Sequence, residues 1–129
     1  MKHLLLFSLA SALGALSRYG LTMLASLLCR GAFPWGTFIV NIIGCLLFGL
    51  VWGMAESARL FADATRVILL TGFMGSFTTF SAFIFDSHML LENRAWLAFM
   101  SNIFFQIFLG LVALNAGIKC AHLMARMAH

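Results

Sequence analysis

Between Thr71 and Phe83 the chain reads Thr71-Gly72-Phe73-Met74-Gly75-Ser76-Phe77-Thr78-Thr79-Phe80-Ser81-Ala82-Phe83, two glycines and a run of hydroxyl residues inside an otherwise apolar stretch. Helix propensity is weakest here. In lipid, an unwound backbone is tolerated only where it is buried in protein or lines a polar cavity, so a break at Gly75–Thr78 requires partners for its carbonyls. Exposed carbonyls at such a break are natural cation ligands. The residues leave a second account open, in which Gly, Ser and Thr let helices approach closely and each hydroxyl bonds back to its own helix.

Phe77, Phe80 and Phe83 recur every three residues and share one face if the segment after the break is helical. Such a stripe usually faces lipid or core; its alternative use is to present ring edges, the positive side of the aromatic quadrupole, to an anion. Thr79 and Ser81 stand beside it as hydroxyl donors. Asn41 and Thr37, four apart, form a short polar stripe on another apolar stretch, and an asparagine amide offers two N–H donors to an anion or to a neighbouring helix. Asn102, Gln106 and Gly110 repeat that spacing further on, a face suited to close helix contact. Arg18 is the one full charge well inside an apolar stretch; it either serves a water-filled vestibule or snorkels to the interface. No carboxylate falls near the centre of such a stretch, which speaks against proton coupling through a membrane Asp or Glu.

The elements that must position these residues are membrane helices. Of the 129 residues 63% are hydrophobic and 9% charged, with mean hydropathy +1.02, which no ordinary water-soluble domain matches. Runs of about 20 apolar residues place four spans at 4–28, 35–55, 67–85 and 95–118, a single transmembrane domain with no room for a soluble catalytic one. The chain is therefore expected not to be an enzyme. Met1-Lys2-His3 followed by leucines has the outline of a signal peptide, but the apolar run continues to Leu28 and contains Arg18, so it is read as the first span. Pro34 suits the first turn of the second helix. Trp35, Trp52 and Trp96 fall near span ends, as an aromatic belt requires. Cys29, Cys45 and Cys120 are far apart and suggest neither a disulfide framework nor a zinc site.

Eight Lys and Arg against four Asp and Glu give a formal charge of +4, placed at span edges and not as a nucleic-acid footprint. Lys2, Arg59, Arg66, Lys119 and Arg126 fall on one side, with Arg30 and Arg94 opposite. That bias favours cytoplasmic termini in a plasma or inner membrane. It is modest enough to leave insertion in both orientations open.

Three segments together, Gly14-Ala15-Leu16-Ser17-Arg18-Tyr19, Pro34 to Gly44 (Pro-Trp-Gly-Thr-Phe-Ile-Val-Asn-Ile-Ile-Gly) and Thr71 to Ser81, resemble the Fluc, or CrcB, fluoride channels, and the likeness covers all four spans. The resemblance implies an antiparallel, dual-topology homodimer with two pores that pass fluoride out of the cytoplasm down its gradient. It also implies one structural Na⁺ at the dimer centre, held by backbone carbonyls matching Gly75 and Thr78 of both copies. By the same resemblance Phe80 and Phe83 match the phenylalanines along the pores, Asn41 a pore-lining amide and Arg18 an arginine near the vestibule. The anion path is thus expected to involve Asn41, Phe80, Phe83, Ser81, Thr79, Thr37, Gln106 and Arg18, within surrounding lipid. Departures fall at Ala82, Gly110 and Leu114, where family members often carry polar groups; Gln106 is the candidate compensation. Some relatives form heterodimers of fixed orientation, and that arrangement stays open. Two other readings compete: a small multidrug exporter, which needs a membrane carboxylate, and an assembly subunit that transports nothing.

Overall fold

The computed structural model describes residues 1–58 and 63–127, all of whose regular structure is helical. Arg59, counted above with the basic residues of the connector, lies outside the described residues. α1 spans Lys2–Leu28, α2 Trp35–Ala58, α3 Asp63–Val67, α4 Gly75–Phe77, α5 Phe80–Glu92 and α6 Trp96–Met127, with a π-helical stretch, Ile68–Met74, joining α3 to α4. Four of the resulting rods are long and apolar enough to cross a membrane: Lys2–Leu28, Trp35–Ser57, Asp63–Glu92 and Trp96–Met127.

All four are longer than the spans expected from sequence, the first two by 2 residues each, the third by 11 and the fourth by 8. Asp86, Ser87 and His88, read as the close of the third span, continue α5 as helix to Glu92. Asn93 then ends it, and Arg94 turns with φ 56° while Ala95 N–H reaches Leu90 O at 2.9 Å and Arg94 N–H reaches Leu91 O at 2.9 Å. These are the two reverse bonds of a Schellman stop, with arginine in the left-handed position that glycine usually takes. α6 runs on to Met127, and its 32 residues reach about 48 Å at 1.5 Å per residue, beyond the roughly 30 Å hydrocarbon core. Its basic end, with Lys119 and Arg126, therefore projects to or past the interface.

α2 packs most extensively against α6. Small residues set that approach: a side chain at Gly49 would strike the Leu114 carbonyl, and one at Gly117 the Leu46 carbonyl. The buried face of α6 is Asn102, Gln106, Gly110, Gly117 and Ala121, so the polar line seen in the sequence turns inward, toward α2 and α5 of the same chain. α1 lies against the π-helical stretch and α4, with the backbone of Phe73 against Gly14. Its leucines remain exposed, among them Leu9, Leu13 and Leu16. The tryptophans sit at the ends of α2 and α6, and Trp52 carries the Arg66 guanidinium 3.9 Å from its ring centroid.

Candidate functional site: a groove beside the interrupted third rod

The third rod changes register before it breaks. Gly75 N–H bonds to Leu70 O, five residues back, in the π pattern, and Thr78 N–H then bonds to Met74 O at 3.0 Å in the α pattern. At Thr78 (φ −80°, ψ 159°) and Thr79 (φ −150°, ψ 118°) the backbone is extended. Gly75, where the sequence placed the start of the break, is itself helical. The interruption falls on two β-branched threonines, for which extended backbone is favourable.

Two side chains capture the donors that would have carried the helix through. Thr79 N–H donates to Asn41 Oδ1 at 2.8 Å instead of closing on Gly75 O, and Asn41 Nδ2 donates to Thr79 O at 3.1 Å. Ala82 N–H donates to Thr79 Oγ1 at 3.3 Å, the N-cap bond of α5, instead of closing on Thr78 O. The carbonyls of Gly75 and Thr78 thus lose their helical donors by name. Neither carboxylate nor imidazole gathers there; among the described residues no cluster of three or more His, Cys, Asp or Glu could hold a metal. A cation at this place would be held by backbone oxygens, suited to a hard ion such as Na⁺.

Beside the interruption lies a groove of about 350 Å³. α2 contributes Asn41, Gly44, Cys45 and Phe48; the interruption Thr78 and Thr79; α5 Phe80 and Phe83; α6 Gln106, Ile107 and Leu114. Of the sequence candidates, Asn41, Thr79, Phe80, Phe83 and Gln106 meet here. Gln106 is 9% exposed, and neither of its amide atoms has a hydrogen-bond partner among the described residues. A buried amide without partners is costly, which makes this one a candidate to meet a ligand. Phe83 is buried at 6% exposure while Phe80 stands 75% exposed, their centroids 6.0 Å apart. Phe77, expected on the same stripe, precedes the interruption and stacks on Phe73, so only two rings of that stripe line the groove, joined there by Phe48 of α2.

The remaining candidates lie elsewhere. Ser81 is exposed and touches Thr79 Oγ1 at 3.3 Å without lining the groove. Thr37 lines a second cavity of about 410 Å³ at the α1–α2 turn, with Thr22, Ser26, Arg30 and Asp86. Thr37 is one turn from Asn41 on α2 and Asp86 one turn from Phe83 on α5, so the two cavities follow each other along the same pair of helices. Arg18 is partly buried on α1 and lines neither.

One functional contact escaped the sequence reading. Ser87, beyond the expected end of the third span, is buried; its Oγ donates to Phe83 O at 2.7 Å and accepts from Asn102 Nδ2 at 3.0 Å. This fixes α5, and with it Phe83, against α6. The signal available was the four-residue step from Phe83 to Ser87, which a span ending at Phe85 hides.

Amide and hydroxyl side chains, phenylalanines and aliphatic groups line the groove, with no lysine, arginine, histidine or carboxylate among them. Such a lining can replace the water around a small anion without trapping it by charge.

Comparison with known proteins agrees across nearly the whole chain. The family model described as "CrcB-like protein, Camphor Resistance (CrcB)" matches residues 5–118. A protein named fluoride-specific ion channel FluC from Nitratidesulfovibrio vulgaris (strain Miyazaki F) is 49% identical over 124 residues, covering 96% of this chain and all of the relative. Those of the same name from Solidesulfovibrio magneticus and Nitrosococcus oceani are 50% and 44% identical, each over 91% of this chain and 94% of its own length.

Proposed function

Because the chain belongs to the CrcB family of ion channels, we propose that it conducts fluoride passively across the cell's plasma or inner membrane, lowering cytoplasmic fluoride, through the groove between α2, α5 and α6. The observation that carries the reading is that Gln106, whose buried amide has no partner, lines the same cavity as Asn41 and Phe83. Fluoride is small and strongly hydrated, so its dehydration must be offset by several donors at once. Gln106 offers its amide hydrogens, Asn41 the one not given to Thr79, and Phe80 and Phe83 their ring edges. Thr37, in the cavity one turn along α2, leads toward the groove; Ser81 and Arg18 would act on the approach.

The working unit is an antiparallel dimer, with dual topology of the single chain or a fixed pairing with a second related chain. Gly75 is exposed on the lone chain, and two antiparallel copies meeting there would bring the four carbonyls of Gly75 and Thr78 together. Those oxygens, stripped of their helical donors, fit a structural Na⁺. When bound, the ion supplies a fixed positive charge near the dehydrated anion paths.

The exporter reading needs a membrane carboxylate, and the only one lining a described cavity within the third rod is Asp86, which shares its cavity with Arg30 and Trp35 at the end of the bundle. That placement is at the membrane edge, where a charge is cheap. The test is fluoride efflux from liposomes containing the purified protein, with chloride as comparison and Phe80→Ile as control. Fluoride flux well above chloride, reduced by Phe80→Ile, is expected; absence of fluoride flux refutes the proposal.

A further inference from the structure

Asn41 is a groove residue, yet most of its hydrogen-bonding capacity is turned away from the groove. Its Oδ1 accepts Thr79 N–H at 2.8 Å and its Nδ2 donates to Thr79 O at 3.1 Å, so one amide grips one residue of the interrupted backbone at both of its polar groups. The contact joins segments 38 residues apart and is partly buried. α2 can come this close because Gly44, one turn beyond Asn41, has no side chain: a Cβ there would meet Thr78 Cγ2 and lie 3.2 Å from the Phe77 ring.

The competing state is a helix that closes. Were Asn41 withdrawn, Thr79 would have a partly buried N–H and C=O without partners, and the N–H could recover one by bonding to Gly75 O in the ordinary i to i−4 pattern. That would occupy the carbonyl needed for a cation. From this competition we infer that Asn41 is a positioning residue for the cation site: by clasping Thr79 it keeps the Gly75 carbonyl free, so the anion groove and the cation site share one side chain. The inference rests on the cation reading of the Gly75 and Thr78 carbonyls. It adds that the cation's affinity is set from α2, which contributes no ligand to it. Thr79 does the same for Thr78 O through its own hydroxyl, by holding Ala82 N–H.

The sequence supplies the means to watch these atoms. Gly75–Ser76 is the only Gly-Ser pair in the chain and Thr78–Thr79 the only Thr-Thr pair. Carbonyl-¹³C glycine with ¹⁵N serine therefore reports the Gly75 carbonyl alone, and ¹⁵N threonine with carbonyl-¹³C threonine reports the Thr79 amide. The full-length protein in micelles is titrated with NaCl against N-methylglucamine chloride at constant ionic strength. In the wild type the Gly75 carbonyl resonance moves with Na⁺. In Asn41→Leu the midpoint shifts to higher Na⁺ by about tenfold or more, the scale of a lost buried hydrogen-bond partner. Ser87→Ala, which loosens α5 against α6 without touching the clasp, keeps the wild-type midpoint. An Asn41→Leu midpoint equal to the wild type's overturns the inference and leaves the cation site standing. A wild-type carbonyl indifferent to Na⁺ sinks the cation site and the inference with it. Should Asn41→Leu not fold, the wild-type Thr79 amide decides: slow hydrogen exchange supports the clasp, and exchange at the rate of an exposed amide overturns it.

Discussion

Gln106 illustrates how a stability cost identifies a working side chain. Its amide is buried without a partner, an arrangement that costs roughly 1–3 kcal/mol. Gln106→Leu should therefore raise thermal stability in detergent while lowering fluoride flux by an order of magnitude or more; a variant less stable yet fully conducting would show the amide to be structural. Phe83→Ile should likewise cut flux with the fold retained, since it replaces a ring edge by methyl groups within the same buried site. The types of these residues were legible in the sequence: an amide four residues from another amide, and phenylalanines at helical spacing. Their contacts were not. Asn41 could be seen to carry two donors, but the bond to Thr79 spans 38 residues, and spacing along one helix says nothing of what lies across from it. Phe77 was misplaced for a related reason, because a three-residue period carries a residue to the same face only when no interruption intervenes.

At the scale of the element, α2 and α6 are held by the absence of side chains at Gly49 and Gly117. Gly117→Leu forces the backbones apart and should cost about 1–3 kcal/mol or more of stability. Gly20→Leu on α1, where a Cβ meets nothing, should stay within about 0.5 kcal/mol. Melting temperatures of the two variants check the contrast; equal losses would mean that α2 and α6 do not depend on close approach. The α5–α6 link behaves differently. Ser87→Ala leaves Asn102 Nδ2, 1% exposed at the residue, without its acceptor, and should cost about 1–3 kcal/mol with a parallel loss of flux as Phe83 loses its support. The third rod begins at Asp63, four residues before the expected start, but the four helices, their order and the starts of the first, second and fourth to within two residues followed from the apolar runs. Their far ends did not: α5 continues through Asp86, Ser87 and His88, and α6 through Lys119 and Arg126, because polar residues are tolerated in a helix once it nears the interface or faces a polar cavity. A break was expected over Gly75–Thr78 from the glycines and hydroxyl residues there; the extended backbone falls on Thr78 and Thr79, where an asparagine from another helix holds Thr79.

For the whole molecule, a single chain leaves much of its apolar surface uncovered, including Leu9, Leu13 and Leu16 on α1 and Phe104, Phe108 and Leu111 on α6. In the proposed arrangement lipid covers part of it, and a second copy covers the face with Gly75. Orientation is open to direct measurement through the native thiols. Cys120 is exposed on α6 beside Lys119, toward the end that shares a side with the chain termini. With Cys29 and Cys45 replaced by serine, a membrane-impermeant maleimide applied to intact spheroplasts should label about half of Cys120 if the chain inserts both ways round. Complete labelling or complete protection would instead indicate one fixed orientation and a different partner chain. The channel reading itself is tested most directly in a planar bilayer holding the purified protein, with unequal fluoride on the two sides and, separately, unequal pH. The current should reverse at the equilibrium potential of fluoride, keep that reversal when chloride is exchanged for an impermeant anion, and ignore the pH gradient. A reversal potential that follows the proton gradient, or the absence of fluoride current, would contradict the account.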